Sequence, residues 1–446
     1  MKKTILFFIA FLSISNFANS ASANIEFSIH VHQTTEKKDS DNKILRDENR
    51  SEMLVNIGDG YFSYTSKGTK YIYDFTKKRV LTIDMSKRIF SDDSLFSNIG
   101  FREYEFKNRL MLGGALAAAK IEDNPMQQVL SEHLFSLQKK DAHSKLSQTL
   151  ENDFLLFAAG GKELLSYSRQ GEQVAHKDKE TFVKFFRYVF GGHPQILDKL
   201  LSDDVIPKSI RIHRYNMFHE INALTISAIK NTPKKSFSIE GNRPGVLSND
   251  SDEFSIHLNK IKHSKNMPLE NHLKLLLSRA EEHYKNGHYM DTMLAYLEYN
   301  LVSGLPFPST FHEQKAILIQ NRNVKQLLAS LSPKSKEKAE QFLSVLQNLE
   351  KASKQQSHVL KIFEANIQMS LRHHQEAKEL FYKALKINPY ITGAYKDLGG
   401  IYFNEYNAVL AWRCWDVARK IAPTHKMLTQ INKFETRLSM DHPEFF

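Results

Sequence analysis

Residues 377–389 read AKELFYKALKINP and residues 411–423 read AWRCWDVARKIAP. Ala377, Ala384, Lys386, Ile387 and Pro389 recur 34 positions later as Ala411, Ala418, Lys420, Ile421 and Pro423, and Phe381 recurs as Trp415. Ala377, Phe381 and Ala384 fall on one side of a helix, because residues three and four apart share a face. The small side chains let a neighbouring helix approach closely, the aromatic fills the remaining space, and the proline stops the helix. A period of this length marks helix pairs that bury their apolar faces only by stacking on one another.

Ahead of the second copy, Tyr395, Leu398, Gly399 and Tyr402 form the partner helix, with Gly399 at the close contact. The combined pattern of an aromatic, Leu-Gly, Tyr, then Ala, an aromatic and Pro resembles the tetratricopeptide repeat. Residues 392–425 match it nearly throughout. Residues 358–391 match in their second helix, with Ala365 in the place of the glycine. The glycine usual between the two helices is Arg372 in one unit and Tyr406 in the other. Ala280, Tyr284, Gly287 and Tyr289 suggest a degenerate earlier unit, although Ala280 precedes Ala365 by 85 residues, which is no multiple of 34. An all-α array over 270–446 is expected, closed by a helix over Lys426–Met440.

That resemblance implies a protein or peptide partner and a groove lined by the first helix of each unit. Asn366 and Met369 are expected on its wall from one unit, and Lys396, Phe403 and Asn404 from the next. The two amides would meet a peptide backbone, Lys396 a carboxylate, and Met369 and Phe403 apolar side chains. The alternative is that Lys396 and Asn404 are simply solvated while Met369 and Phe403 pack on neighbouring helices.

Upstream, the apolar period is two. Ile25, Phe27, Ile29 and Val31 alternate with polar residues, as in a half-buried strand. Short strands are expected at Tyr61–Tyr64, Tyr71–Phe75, Val80–Asp84 and Arg88–Phe90. Their hairpin-length connections make them an antiparallel meander. A helix over Phe101–Lys120 interrupts it, and Asp123-Asn124-Pro125 begins another. Strands and helices then alternate to Ile229, so residues 24–230 read as an α+β domain, a mostly antiparallel sheet with covering helices. A sheet so covered is a shape that periplasmic lipoprotein carriers use for acyl chains, which makes a carrier of a lipid or other apolar ligand the alternative function. Residues 231–269, polar and carrying three prolines, read as a linker, with one possible strand at Phe254–Ile261.

Residues 1–23 combine Lys2 and Lys3, the apolar run Thr4–Ile14 and the small residues Ala21-Ser22-Ala23, the plan of a signal peptide. The expectation is an exported chain, periplasmic or secreted, beginning near Asn24 and carrying no transmembrane segment after cleavage. Its formal charge of +11 would fall to +9 with the loss of the two lysines. That excess is spread along the chain rather than gathered in a patch, so no nucleic-acid partner is expected, though peripheral contact with an acidic envelope surface fits. The single cysteine excludes an intramolecular disulfide framework, and Cys414 is expected in the helical core. No Gly-x-Ser-x-Gly elbow, phosphate loop or His-Glu-x-x-His occurs. His30 and His32 share a strand face without a visible third ligand. The reading is a non-enzymatic scaffold or adaptor with no catalytic residue, metal or cofactor.

Overall fold

The computed structural model describes residues 24–38, 43–119, 125–138, 145–216, 218–247, 252–265, 268–353 and 355–446. The expected signal peptide lies outside the described residues, as do Asp123 and Asn124 of the expected helix start.

In chain order, β1 (Asn24–Lys38) and β2 (Ile44–Gly58) form a long hairpin. The meander β3 (Tyr61–Ser66), β4 (Thr69–Asp74), β5 (Arg79–Asp84) and β6 (Ile89–Ser94) follows. Then come α1 (Leu95–Ala118), α2 (Pro125–Phe135), β7 (Ser147–Glu151), β8 (Phe154–Ala159), β9 (Lys162–Ser168) and the short β10 (Gly171–Gln173). α3 (His176–Val189), α4 (Pro194–Ser202), β11 (Val205–Pro207), β12 (Ser209–Tyr215) and β13 (His219–Thr232) complete this half. β13 returns to pair with β1, placing Val31 opposite Leu224 and Ile29 opposite Ile226. The sheet order is β6-β5-β4-β3-β2-β1-β13-β12-β9-β8-β7, and the two-residue β14 (Arg243–Pro244) adds to β6 in parallel, which makes the sheet mixed.

The alternating apolar residues of β1 meet helix α3. Phe27 lies 5.9 Å from Phe182 and 6.4 Å from Phe185, and Phe62 lies 5.4 Å from Phe185, ring centre to ring centre. These rings are fully buried, so aromatic packing fills the space between sheet and helix. On the other side of the meander, Phe237 and Ile239 of the segment after β13 cover Tyr61, Ile72, Leu81, Ile83 and Phe90.

The C-terminal half is helical: α5 (Glu253–His263), α6 (Leu269–Lys285), α7 (Tyr289–Ser303), α8 (Ser309–Leu318), α9 (Arg322–Ser330) and α10 (Lys336–Ala352). It continues with α11 (Ser357–Ser370), α12 (His374–Ile387), α13 (Thr392–Asn404), α14 (Ala408–Ile421) and α15 (Thr429–Asp441). The chain is thus an α+β sheet region followed by a helical array. The pairs α6–α7, α11–α12 and α13–α14 close through one turn used three times. Gly287, Arg372 and Tyr406 take left-handed φ of 70°, 65° and 63°. The next N–H, of His288, His373 and Asn407, donates to the carbonyl of His283, Gln368 and Tyr402 at 2.9 Å in each case. This hydrogen bond satisfies a carbonyl that the helix end would otherwise leave free. Ala377, Phe381, Ala384 and their counterparts Ala411, Trp415 and Ala418 are all buried.

Three segments differ from the sequence reading. Phe254–Ile261 is part of helix α5 and not a strand: Asp252 accepts the Ser255 N–H at 2.9 Å as an N-cap, and Phe254 and Leu258 are buried one turn apart. Strand β2 was invisible to alternation because its first half, Ile44–Arg50, is exposed on both faces. β7 was hidden for the same reason, being exposed along its whole length at the sheet edge.

The expected linker is therefore largely built into the fold, its first part lying on the sheet and α5 lying on the array. Lys386 holds Glu253 at the start of α5 at 2.7 Å. Lys420 donates to the carbonyls of Ile261, Lys262 and Ser264 at its end, at 2.8, 2.6 and 2.7 Å. One apolar core runs from the sheet into the last helices: Tyr188 of α3 donates to the Phe445 carbonyl at 2.9 Å, and the Trp412 ring lies against Gly100 of α1.

Candidate functional site: a basic cleft in the helical array

Where α9 ends, the chain turns through residues 331–335 and starts α10, with the Ser335 hydroxyl accepting the Lys338 N–H at 3.3 Å. The turn stands beside the C-terminal half of α11. Phe363, Asn366, Ile367 and Ser370 recur at helical spacing on the α11 face that looks into the gap. The result is an open cleft of about 540 Å³.

Its floor is apolar, built from Leu331, Ala339, Phe363, Ile367 and Leu371, and its rim carries the exposed cations Lys334, Lys336 and Arg372. Among the described residues no Asp or Glu lines it. The Asn366 amide oxygen is buried there without a hydrogen-bond partner among the described residues, whereas buried polar atoms are paired in the large majority of cases. The rim charges suit a carboxylate, and the floor suits apolar side chains.

Of the five expected groove residues, Asn366 lines this cleft. Met369 is half-buried against the main core. The Lys396 ammonium meets Asp397 at 3.0 Å, and its carbonyl accepts the Trp415 indole N–H at 3.1 Å. Burial pushes the Asp397 carboxyl above its ordinary range, and Lys396 offsets part of that shift. Phe403 packs among Tyr104, Trp412, Trp415 and Phe434 at ring distances of 5.0–6.0 Å. Asn404 is exposed. The structure thus does not bring the five onto one wall. The residues that sequence reasoning missed are Lys334, Lys336 and Arg372. The signal for Lys334 and Lys336 was the lysine cluster after Pro333, which carries no repeat identity, while Arg372 had been read only as standing in the place of the inter-helix glycine.

Several histidines have ordinary partners. His32 meets Glu48 across the β1–β2 hairpin at 3.1 Å. His193 meets Glu132, and His358 meets Glu298, as buried pairs at 3.0 and 2.7 Å that join helices. Burial drives the His133 imidazole down to about 3, so it stays neutral, accepting the His193 N–H and donating to the His213 carbonyl. Cys414 is buried, and burial raises its thiol well above the usual range, away from reactive thiolate. Among the described residues no three metal-ligating side chains converge, and no helix is long and apolar enough to cross a membrane.

Neither protein-family profiles nor curated protein sequences match this chain. A solved structure concerned with lipid–protein interactions in lipovitellin aligns over 94% of this chain and 47% of its own, with 9% identity and a TM-score of 0.18. The chain thus spans about half the length of that protein, and a likeness at this level carries no argument about fold or function.

Proposed function

We propose that this chain is an exported, non-enzymatic adaptor. Its helical array, with α11–α12 and α13–α14 acting as tetratricopeptide-type units, takes an extended acidic-apolar segment of a partner protein. The observation that carries the reading is the basic-rimmed cleft with its apolar floor. The sheet region serves as a rigid mount, joined to the array through a common core. The space between β1–β3 and α3 is filled by the phenylalanine cluster, so an apolar ligand held there would have to displace those rings. The test is crosslinking and capture from the native cell envelope, with the parent protein beside a Lys336→Glu/Arg372→Glu variant. Both substitutions sit on exposed positions, so folding is retained and the captured partner should be lost. Undiminished capture by the variant removes this cleft from the function.

A further inference from the structure

Helix α1 changes character halfway along. Its first four turns are clamped in the fold: Leu95, Ile99, Glu103 and Phe106 form a buried stripe. Tyr104 stacks on Phe403 and Tyr406 at about 5 Å, Asn108 donates to the Tyr406 hydroxyl at 2.8 Å, and Arg109 lies over the Phe135 ring at 5.1 Å. Beyond Leu110 the stripe stops while the helix continues. Residues 110–119 read LMLGGALAAA, ten residues with no polar side chain. Met111 is 68% exposed, Leu112 is 61% exposed, and every residue from 111 to 119 except the partly buried Leu116 is exposed. A side chain added at Gly113 or Gly114 would meet nothing within 4 Å.

A helix without a polar face belongs in surroundings that embrace it, whereas a groove on a partner protein covers one side. An isolated apolar surface of this kind marks an interaction site. The segment is about 15 Å long at helical rise, half of what a span requires. Both its ends are charged in sequence, Lys107 and Arg109 before it and Lys120, Glu122 and Asp123 after it, so neither end belongs in hydrocarbon. A helix lying flat at the boundary of headgroups and acyl chains meets both conditions: it is embedded by about 5–10 Å, at least about half of its thickness, while its ends stay among headgroups. The chain's excess of base over acid, +11 and still +9 without Lys2 and Lys3, favours an anionic surface.

We propose that residues 110–119 of α1 lie in the plane of an anionic lipid bilayer and hold the protein to it. This goes beyond partner capture by the array and does not depend on it. The probe is a nitroxide at position 115, introduced as Ala115→Cys in the full chain. The native Cys414 is buried and leaves the new thiol as the site of labelling. On vesicles of phosphatidylethanolamine containing phosphatidylglycerol, this label should become protected from a water-soluble relaxant, while a label at the exposed edge strand, Ser147→Cys, stays accessible. Adding Met111→Asp and Leu112→Asp, both at exposed positions, should reduce protection at 115 by at least about tenfold. A label at 115 that stays water-accessible on vesicles overturns the proposal. So does protection that appears without lipid and grows with protein concentration, which would assign the segment to self-association. Protection that survives the double Asp change overturns it as well.

Discussion

Arg413 of α14 grips Asp93 of β6 with two hydrogen bonds, Nε to Oδ1 at 2.6 Å and Nη2 to Oδ2 at 3.1 Å. The pair ties the helical array to the sheet and is not alone. Arg79 of β5 bridges Asp92 and Asp416 at 2.6 and 2.7 Å, and Lys262 of α5 lies 3.5 and 3.7 Å from the same two carboxylates. Burial by itself would raise the Asp93 carboxyl, but Arg413, Lys262 and Arg79 hold it below the usual carboxylate range.

Breaking this lock should loosen the molecule in a pH-dependent way. Asp93→Asn removes the carboxylate that Arg413 grips in a largely buried pair and should cost about 2–4 kcal/mol at neutral pH. Because the folded carboxyl sits below its unfolded value of about 4, the stabilisation is complete above that value and drains away as pH falls through the folded one. Denaturant melts should show the parent and Asp93→Asn converging below about pH 4. A constant gap across that range would remove Asp93 as the source.

Gly399 and Gly400 are adjacent, but only one has a packing reason. A Cβ at 399 would stand 2.1 Å from the Trp415 Nε1 and 2.4 Å from its Cδ1, whereas at 400 it meets nothing within 4 Å. Gly399→Ala should therefore destabilise by about 1–3 kcal/mol through overpacking. Gly400→Ala should stabilise by about 0.5–1 kcal/mol through helix propensity. Thermal melts of the two single variants decide it, and equal effects would contradict the Trp415 contact.

Arg372 and Tyr406 carry side chains where the backbone is left-handed. Arg372 is exposed, so Arg372→Gly should gain about 0.5–1 kcal/mol by relieving that strain. The same change removes a rim cation, so stability and partner capture should move in opposite directions. At Tyr406 no such gain is expected, because Tyr406→Gly also loses the ring stack on Tyr104 and the Asn108 hydrogen bond. Chemical denaturation of both variants checks the contrast.

Lys420→Met should free the end of α5. Three carbonyls lose their shared donor, at a cost of about 1–3 kcal/mol. Limited proteolysis should then cut faster within residues 252–265. Unchanged cleavage there would mean that Phe254 and Leu258 hold α5 without the lysine.

What the sequence determined by itself was whatever local periodicity encodes. The recurrence of Ala377, Phe381, Ala384 and Pro389 announced the last helix pairs, and the alternation of Ile25, Phe27, Ile29 and Val31 announced the central strand, because each burial pattern repeats within a few residues. Where burial was absent, as along the first half of β2 and along β7, no pattern existed to be read. Tertiary structure alone decided the rest. Lys386 and Lys420 were legible as a repeated identity, yet only the fold shows them clasping the two ends of α5, more than a hundred residues upstream. Phe403 had the spacing of a groove residue, but Tyr104, from the other half of the chain, makes it core. The basic cleft depends on a turn that happens to stand beside α11, and the apolar end of α1 is notable only because the described residues leave most of it uncovered. Contacts between distant segments depend on which surfaces meet after the elements form, and no local period in the chain carries that information.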